Sequence, residues 1–172
     1  KKPSYYYINT SLYDKISKYD LLTLTLHESI PGHHLQISYH IQEKIPEFMI
    51  YLYNNISYIE GWGLYCETLF PYTNKYEIFS KLNYELIRAI RLVVDTGINV
   101  YKWSYKKSFD FLKENSTLSN EEIENEIMRY ICLPSQSINY KIGEMFFSKY
   151  VSKFNNLKEA HTSILKNGPI PL

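Results

Sequence analysis

The sequence predicts a mostly α fold built as a single domain, and three observations carry that prediction. Apolar residues recur at the helical period along most of the 172 residues. Alternating strand patterns are scarce apart from a YYYI run near the start. No internal repeat, low-complexity linker or shift in composition marks a second domain, and a chain of this length with 45% apolar residues can bury one sizeable core.

The elements follow in order. From about Ser11 to Gln42, Leu21, Leu24, Leu26, Leu35 and Ile37 recur near the helical spacing. Pro31-Gly32 interrupts this helix, because proline removes a backbone hydrogen bond and crowds the carbonyl four residues back, so a kink or bulge is expected there. Pro46 closes the element. A second helical run, Glu47 to Leu69, carries EGWGLYCE, whose glycines lower propensity and invite close backbone packing. The third run, Lys75 to Tyr101, shows the clearest stripe: Leu82, Leu86, Ile90, Val93, Val94 and Ile98, with Arg88, Arg91 and Asp95 interleaved. A shorter helix follows Ser104. Ser119 and Glu122 form a capping box that opens a helix through Tyr130. CLPSQ breaks the chain before a helix from about Ser135 to Phe154, and a last helix near Leu157 to Lys166 stops at Gly168, leaving GPIPL as an extended tail.

Composition excludes several classes of function. Nineteen basic against eighteen acidic residues leave a net charge of +1, with no basic block interleaved with aromatics, so nucleic acid is not an expected partner. No apolar stretch approaches the roughly 18 residues of a membrane span, and the opening KKPSYYYINT lacks a secretion signal's apolar core, so a soluble protein of unassigned compartment is expected. The first residue is Lys, as in a processed product or a piece of a longer chain. Cys66 and Cys132 match neither a disulfide framework nor a zinc ribbon and are expected to be core thiols. The 18 tyrosines accompany many Asn, Lys and Ile, a bias that AT-rich coding explains without a function.

The chemistry concentrates in HESIPGHH, residues 27–34. A catalytic zinc takes three N or O ligands and keeps one position open, and a helical His-Glu pair supplies one ligand and a general base. The usual second histidine lies four residues on, one turn along the same face. Here Pro31 stands at that position, and the next histidines are His33 and His34. On an unbroken helix they would lie about 9 and 10.5 Å along the axis from His27, long for a shared ion. A bulge that absorbs two residues at Pro31-Gly32 would bring His33 to the ligand position. A regular helix would instead put His34 within about 20° of the face of His27. The bulged reading is preferred and the other stays open. Glu60, on a later helix, is the natural third ligand, with Glu67 on the same helix as the fallback. Set against this, a two-residue His-Glu match is common by chance and a lone helical histidine is more often solvated or a satisfied core residue.

HESIPGHHLQ, EGWGLYCE, RAIRLVVDTGIN, LPSQSINYKIG and AHTSILKNGPIPL occur in the order seen in a bacterial family labelled domain of unknown function 885, which the chain resembles over nearly its whole length. Members look like zincin-like metallopeptidases, and the resemblance is to their C-terminal catalytic part. It implies a kinked active-site helix, Zn²⁺ held by His27, Glu60 and His33 or His34, Glu28 as general base, and a peptide substrate. An N-terminal region absent from this chain would have walled the cleft. Tyr140 matches a family tyrosine suited to donate to an oxyanion. Arg88 and Arg91 are implied substrate-carboxylate binders, although a structural ion-pair ladder explains them as well, with Arg91 and Asp95 at the favourable four-residue spacing. Asp95 is expected to orient a ligand histidine. His161 matches a family histidine and is expected to be structural. Asn99 stands where members carry a histidine; it either binds substrate in its place or marks a weakened member that persists as a binding or structural module.

Overall fold

The computed structural model describes residues 5–8, 17–53 and 55–172. Among these every regular element is a helix. The YYYI run, expected as a strand, is irregular and finds no strand partner; its four side chains are all exposed. The start of the first predicted helix, at Ser11, lies outside the described residues.

Nine described helices follow: α1 (Asp20–Glu28), α2 (His33–Gln42), α3 (Glu47–Tyr51), α4 (Ile56–Cys66), α5 (Lys75–Asn99), α6 (Tyr105–Asn115), α7 (Asn120–Cys132), α8 (Asn139–Val151) and α9 (Leu157–Leu165). The first predicted helix is two helices, separated by residues 29–32 with a cis Ile30–Pro31 peptide. The second is also two, because Asn55 starts α4 afresh, its side chain accepting from Tyr58 N–H. Local chemistry sets the other starts as expected. Ser104 caps α6, and the Ser119/Glu122 box opens α7 with both reciprocal hydrogen bonds made. Gly168, at φ 70°, ends the last helix in the left-handed region that glycine enters without strain. Among the described residues no helix is long and apolar enough to cross a membrane.

Two apolar clusters hold the helices together. One joins α4, α8 and α9 through Tyr58, Trp62, Tyr65, Phe147, Val151, Ala160 and Ile164. The other joins α5, α6 and α7 through Ile90, Val94, Leu112, Ile123, Ile127 and Tyr130. Helices α4 and α8 approach closely because glycine faces glycine: a Cβ on Gly61 would collide with the backbone of Gly143.

The apolar stripe of α5 is split: Leu82, Leu86 and Val93 are exposed, while the interleaved Arg88, Arg91 and Asp95 are buried. Those three turn inward because each meets a partner there: Glu67, Glu126 and Ser137 respectively. Cys66 is a core thiol, whereas Cys132, at the exposed end of α7, is not.

Candidate metal centre

Helix α1 delivers His27 in its last turn and stops one residue later. The backbone then turns through residues 29–32 so tightly that a Cβ on Gly32 would overlap the His27 carbonyl. Only glycine fits that approach. The turn is pinned from α4: the Pro31 carbonyl accepts from the Trp62 indole N–H at 3.0 Å and from the Cys66 thiol at 3.3 Å. Helix α2 restarts at His33, which brings its ring edge-on to that of His27 with centroids 4.7 Å apart.

Helix α4 closes the site from the other side. Glu60, Gly63 and Glu67 stand three and four residues apart and share one face. Glu60 Oε2 lies 3.4 Å from His27 Nε2 and 3.5 Å from His33 Nε2. Gly63 makes room for the imidazole, since a Cβ there would sit 2.7 Å from His27 Cε1 and Nε2. Glu67 Oε1 lies 2.7 Å from the opposite ring nitrogen, Nδ1.

The donor atoms of His27, His33 and Glu60 all lie within 4.8 Å of one another. Zinc–ligand bonds of about 2.0–2.2 Å at tetrahedral angles place donors about 3.3–3.6 Å apart. The two measured separations fall in or at the edge of that range, and two imidazoles with a carboxylate are a donor set that zinc accepts. The residues present therefore fit the ion. In its absence the pairing is electrostatic. Burial pulls the His27 pKa down, but hydrogen bonds to Glu60 and Glu67 outweigh it and push it up to about 9. Burial likewise raises Glu60, and the two histidines more than reverse this, holding it well below the usual carboxylate range.

The remaining candidates separate into those near this cluster and those engaged elsewhere. Glu28 is exposed at the end of α1, next to His27. His34 is exposed and is not part of the three-residue cluster. Asp95 does not meet His27 or His33. Its carboxylate accepts from Asn99, the Ser135 N–H and Ser137, tying α5 to the turn before α8. Asn99 faces inward, donating to Asp95 and to the Tyr130 carbonyl. Arg91 is held bidentately by Glu126 at 2.9 and 2.8 Å, so the ladder with Asp95 is replaced by a pair to α7. Arg88 is buried over the Tyr84 ring, with Nη2 3.6 Å from Glu67 Oε1. Tyr140 lies beside Arg91 and Arg129, its hydroxyl accepting from Arg129 Nη2 at 3.3 Å. His161 pairs with the Tyr65 hydroxyl at 2.9 Å inside the α4–α9 packing.

Sequence reasoning missed Trp62, Gly63 and Cys66. The one-face spacing of Glu60, Gly63 and Glu67 was a usable signal for Gly63. Nothing local pointed Trp62 and Cys66 at Pro31.

A family model described as bacterial protein of unknown function (DUF885) matches residues 1–172. The chain belongs to the DUF885 family. Among solved structures, the DUF885 chain is similar to the "putative lipoprotein" from Colwellia psychrerythraea, at 33% identity and a TM-score of 0.80. The similarity covers 90% of this chain and 28% of that one, so the DUF885 chain spans little more than a quarter of its neighbour's length. No curated protein matches it.

Proposed function

We propose that this DUF885 chain carries the catalytic centre of a zinc-dependent hydrolase acting on peptide bonds. The observation that carries the reading is the convergence of His27 Nε2, His33 Nε2 and Glu60 Oε2 beside an exposed glutamate on the same helix end as His27. Zn²⁺, when bound, supplies Lewis acidity that polarises a carbonyl and lowers the pKa of water.

The chain's own residues supply the rest. Glu28, free of intrahelical burial, takes the proton from the attacking water and returns it to the leaving amine. Tyr140 accepts from Arg129 and so keeps its own hydroxyl proton for a developing oxyanion. His27, His33 and Glu60 would hold the ion, three being the number of protein ligands usual at catalytic zinc, and the exposed His34 is not part of that cluster. Asn99 spends its amide on Asp95 and Tyr130, so its work is packing between α5 and α7 rather than substrate contact.

The test is metal content by inductively coupled plasma mass spectrometry on wild type, His27→Ala and Glu60→Ala, followed by peptide hydrolysis with Glu28→Gln. The expected result is about one zinc per wild-type chain, lost in both ligand variants, with Glu28→Gln keeping zinc and losing activity. A wild type that takes up no zinc when it is supplied would leave a binding or structural module.

A further inference from the structure

Glu67 is fully buried and faces the ring nitrogen of His27 that the three-donor cluster does not use. We propose that Glu67, held in turn by Arg88, is the positioning residue of the centre: it fixes which nitrogen of His27 is offered to the ion. The inference rests on the zinc reading above.

Glu60 of α4 and Glu67, the residue that caps it, stand at opposite ends of one imidazole, at different distances. Glu67 Oε1 is 2.7 Å from Nδ1, the length of a charge-assisted hydrogen bond, whereas Glu60 Oε2 is 3.4 Å from Nε2 and shared with His33. A carboxylate only accepts, so Nδ1 carries the hydrogen and donates it, and the nitrogen left to be offered to an ion is Nε2, the one that faces Glu60. This geometry also excludes Glu67 as a ligand of the same ion, because its oxygen meets the ring at the far nitrogen.

A buried carboxylate needs compensation. Arg88 Nη2 is 3.6 Å from the same Oε1, and its guanidinium lies 4.7 Å from the Tyr84 ring centroid. Its Nε is buried without any hydrogen-bond partner. Packing alone would not favour that arrangement, because an unpaired buried donor costs stability. A guanidinium parked beside Glu67 is accounted for if its task is to hold that carboxylate toward His27. Gly63 lets the imidazole lie against α4 while Glu67 holds its Nδ1, since a Cβ there would sit 2.7 Å from the ring. Asp95, the orienting acceptor that the sequence suggested, already accepts three hydrogen bonds elsewhere.

The experiment uses the full chain with Glu67→Leu, Glu67→Gln and Arg88→Lys, each checked for helicity by circular dichroism. Zinc affinity is read by competition with a chromogenic chelator, the His27 Nδ1–H by proton NMR of the zinc form, and coordination by the visible spectrum after Co²⁺ substitution. Removing such an outer partner typically costs 10–100-fold in metal affinity. Glu67→Leu should lose that much, keep one site per chain and an unchanged Co²⁺ spectrum, and lose the downfield Nδ1–H signal. Glu67→Gln, whose amide oxygen still accepts, should recover most of the affinity and the signal. Arg88→Lys should fall between them. Wild-type affinity and an intact Nδ1–H signal in Glu67→Leu would overturn the positioning role while leaving the zinc centre standing. A shifted Co²⁺ spectrum in Glu67→Gln would overturn it in favour of Glu67 as a ligand. Absence of zinc from the wild type would overturn the centre itself. Should Glu67→Leu fail to fold, the Gln and Lys variants decide: no change in affinity or Nδ1–H in both overturns the proposal.

Discussion

Gly63→Ala is the sharpest single-atom test of the site, because one added methyl meets one histidine. The new Cβ would sit 2.7 Å from His27 Cε1 and Nε2, and ordinary contact begins at 3.4 Å, so the ring must retreat by 3.4 − 2.7 = 0.7 Å. Glu67 blocks easy retreat, since it already holds the opposite nitrogen at 2.7 Å. Zinc–ligand distances stay within about ±0.2 Å of their usual values. The expected loss in zinc affinity is therefore about 10–100-fold, or roughly 1.4–2.7 kcal/mol. The fold should suffer less. Alanine in a helix interior gains about 0.5–1 kcal/mol over glycine, set against about 1–3 kcal/mol for overpacking. The net is a destabilisation of about 0–2.5 kcal/mol, a fall of at most about 10 °C in Tm for a chain of this size. Chelator competition and thermal circular dichroism on the same samples measure both. Wild-type zinc affinity in Gly63→Ala would refute the reasoning, because either the ring is not confined as described or His27 Nε2 does not hold the ion.

The zinc-free protein should lose stability as pH rises from about 6.5 to 9. The His27 pKa is raised to about 9 in the fold, so its contribution is complete below the unfolded value and disappears as pH passes through the folded one. Its size is at most on the order of 3 kcal/mol, and urea midpoints across that interval, flat in His27→Gln but sloping in wild type, are the check. Gly61→Ala should destabilise by about 2 kcal/mol or more, because its Cβ meets the Gly143 backbone and not a movable side chain. Denaturant titration measures it, and a neutral outcome would contradict the α4–α8 contact. Arg91→Ala removes two charge-assisted hydrogen bonds from Glu126, which keeps Tyr130 and Arg129 as partners, and should cost about 1.5–3 kcal/mol, whereas a substrate-binding Arg91 would leave stability unchanged and raise KM.

Most of the helical content was legible because it is set by local chemistry. The Ser119/Glu122 box, the Ser104 cap and the stop at Gly168 act within a few residues, and each lies where the sequence put it. The breaks were less legible. Pro31-Gly32 announced a disturbance of the first helix, but its extent, a full separation of α1 from α2, depends on Trp62 and Cys66 reaching across to the Pro31 carbonyl. The orientation of α5 was hidden for a related reason. A helical stripe of leucines and valines predicts an inward face only while the polar residues lack buried partners, and Arg88, Arg91 and Asp95 all have them.

By itself, the sequence determined the helical class, the caps, and the residue types able to bind a metal in HESIPGHH and EGWGLYCE. These are properties of spacing and side-chain chemistry that need no knowledge of distant contacts. Only the tertiary structure decided that His33 rather than His34 turns toward His27 and Glu60, and that Glu67 rather than Asp95 meets the far nitrogen of His27. Those choices turn on ångström-scale placement of one helix against another. Here that placement depends on Trp62 and Cys66 of α4 reaching the Pro31 carbonyl between α1 and α2, which no local pattern encodes.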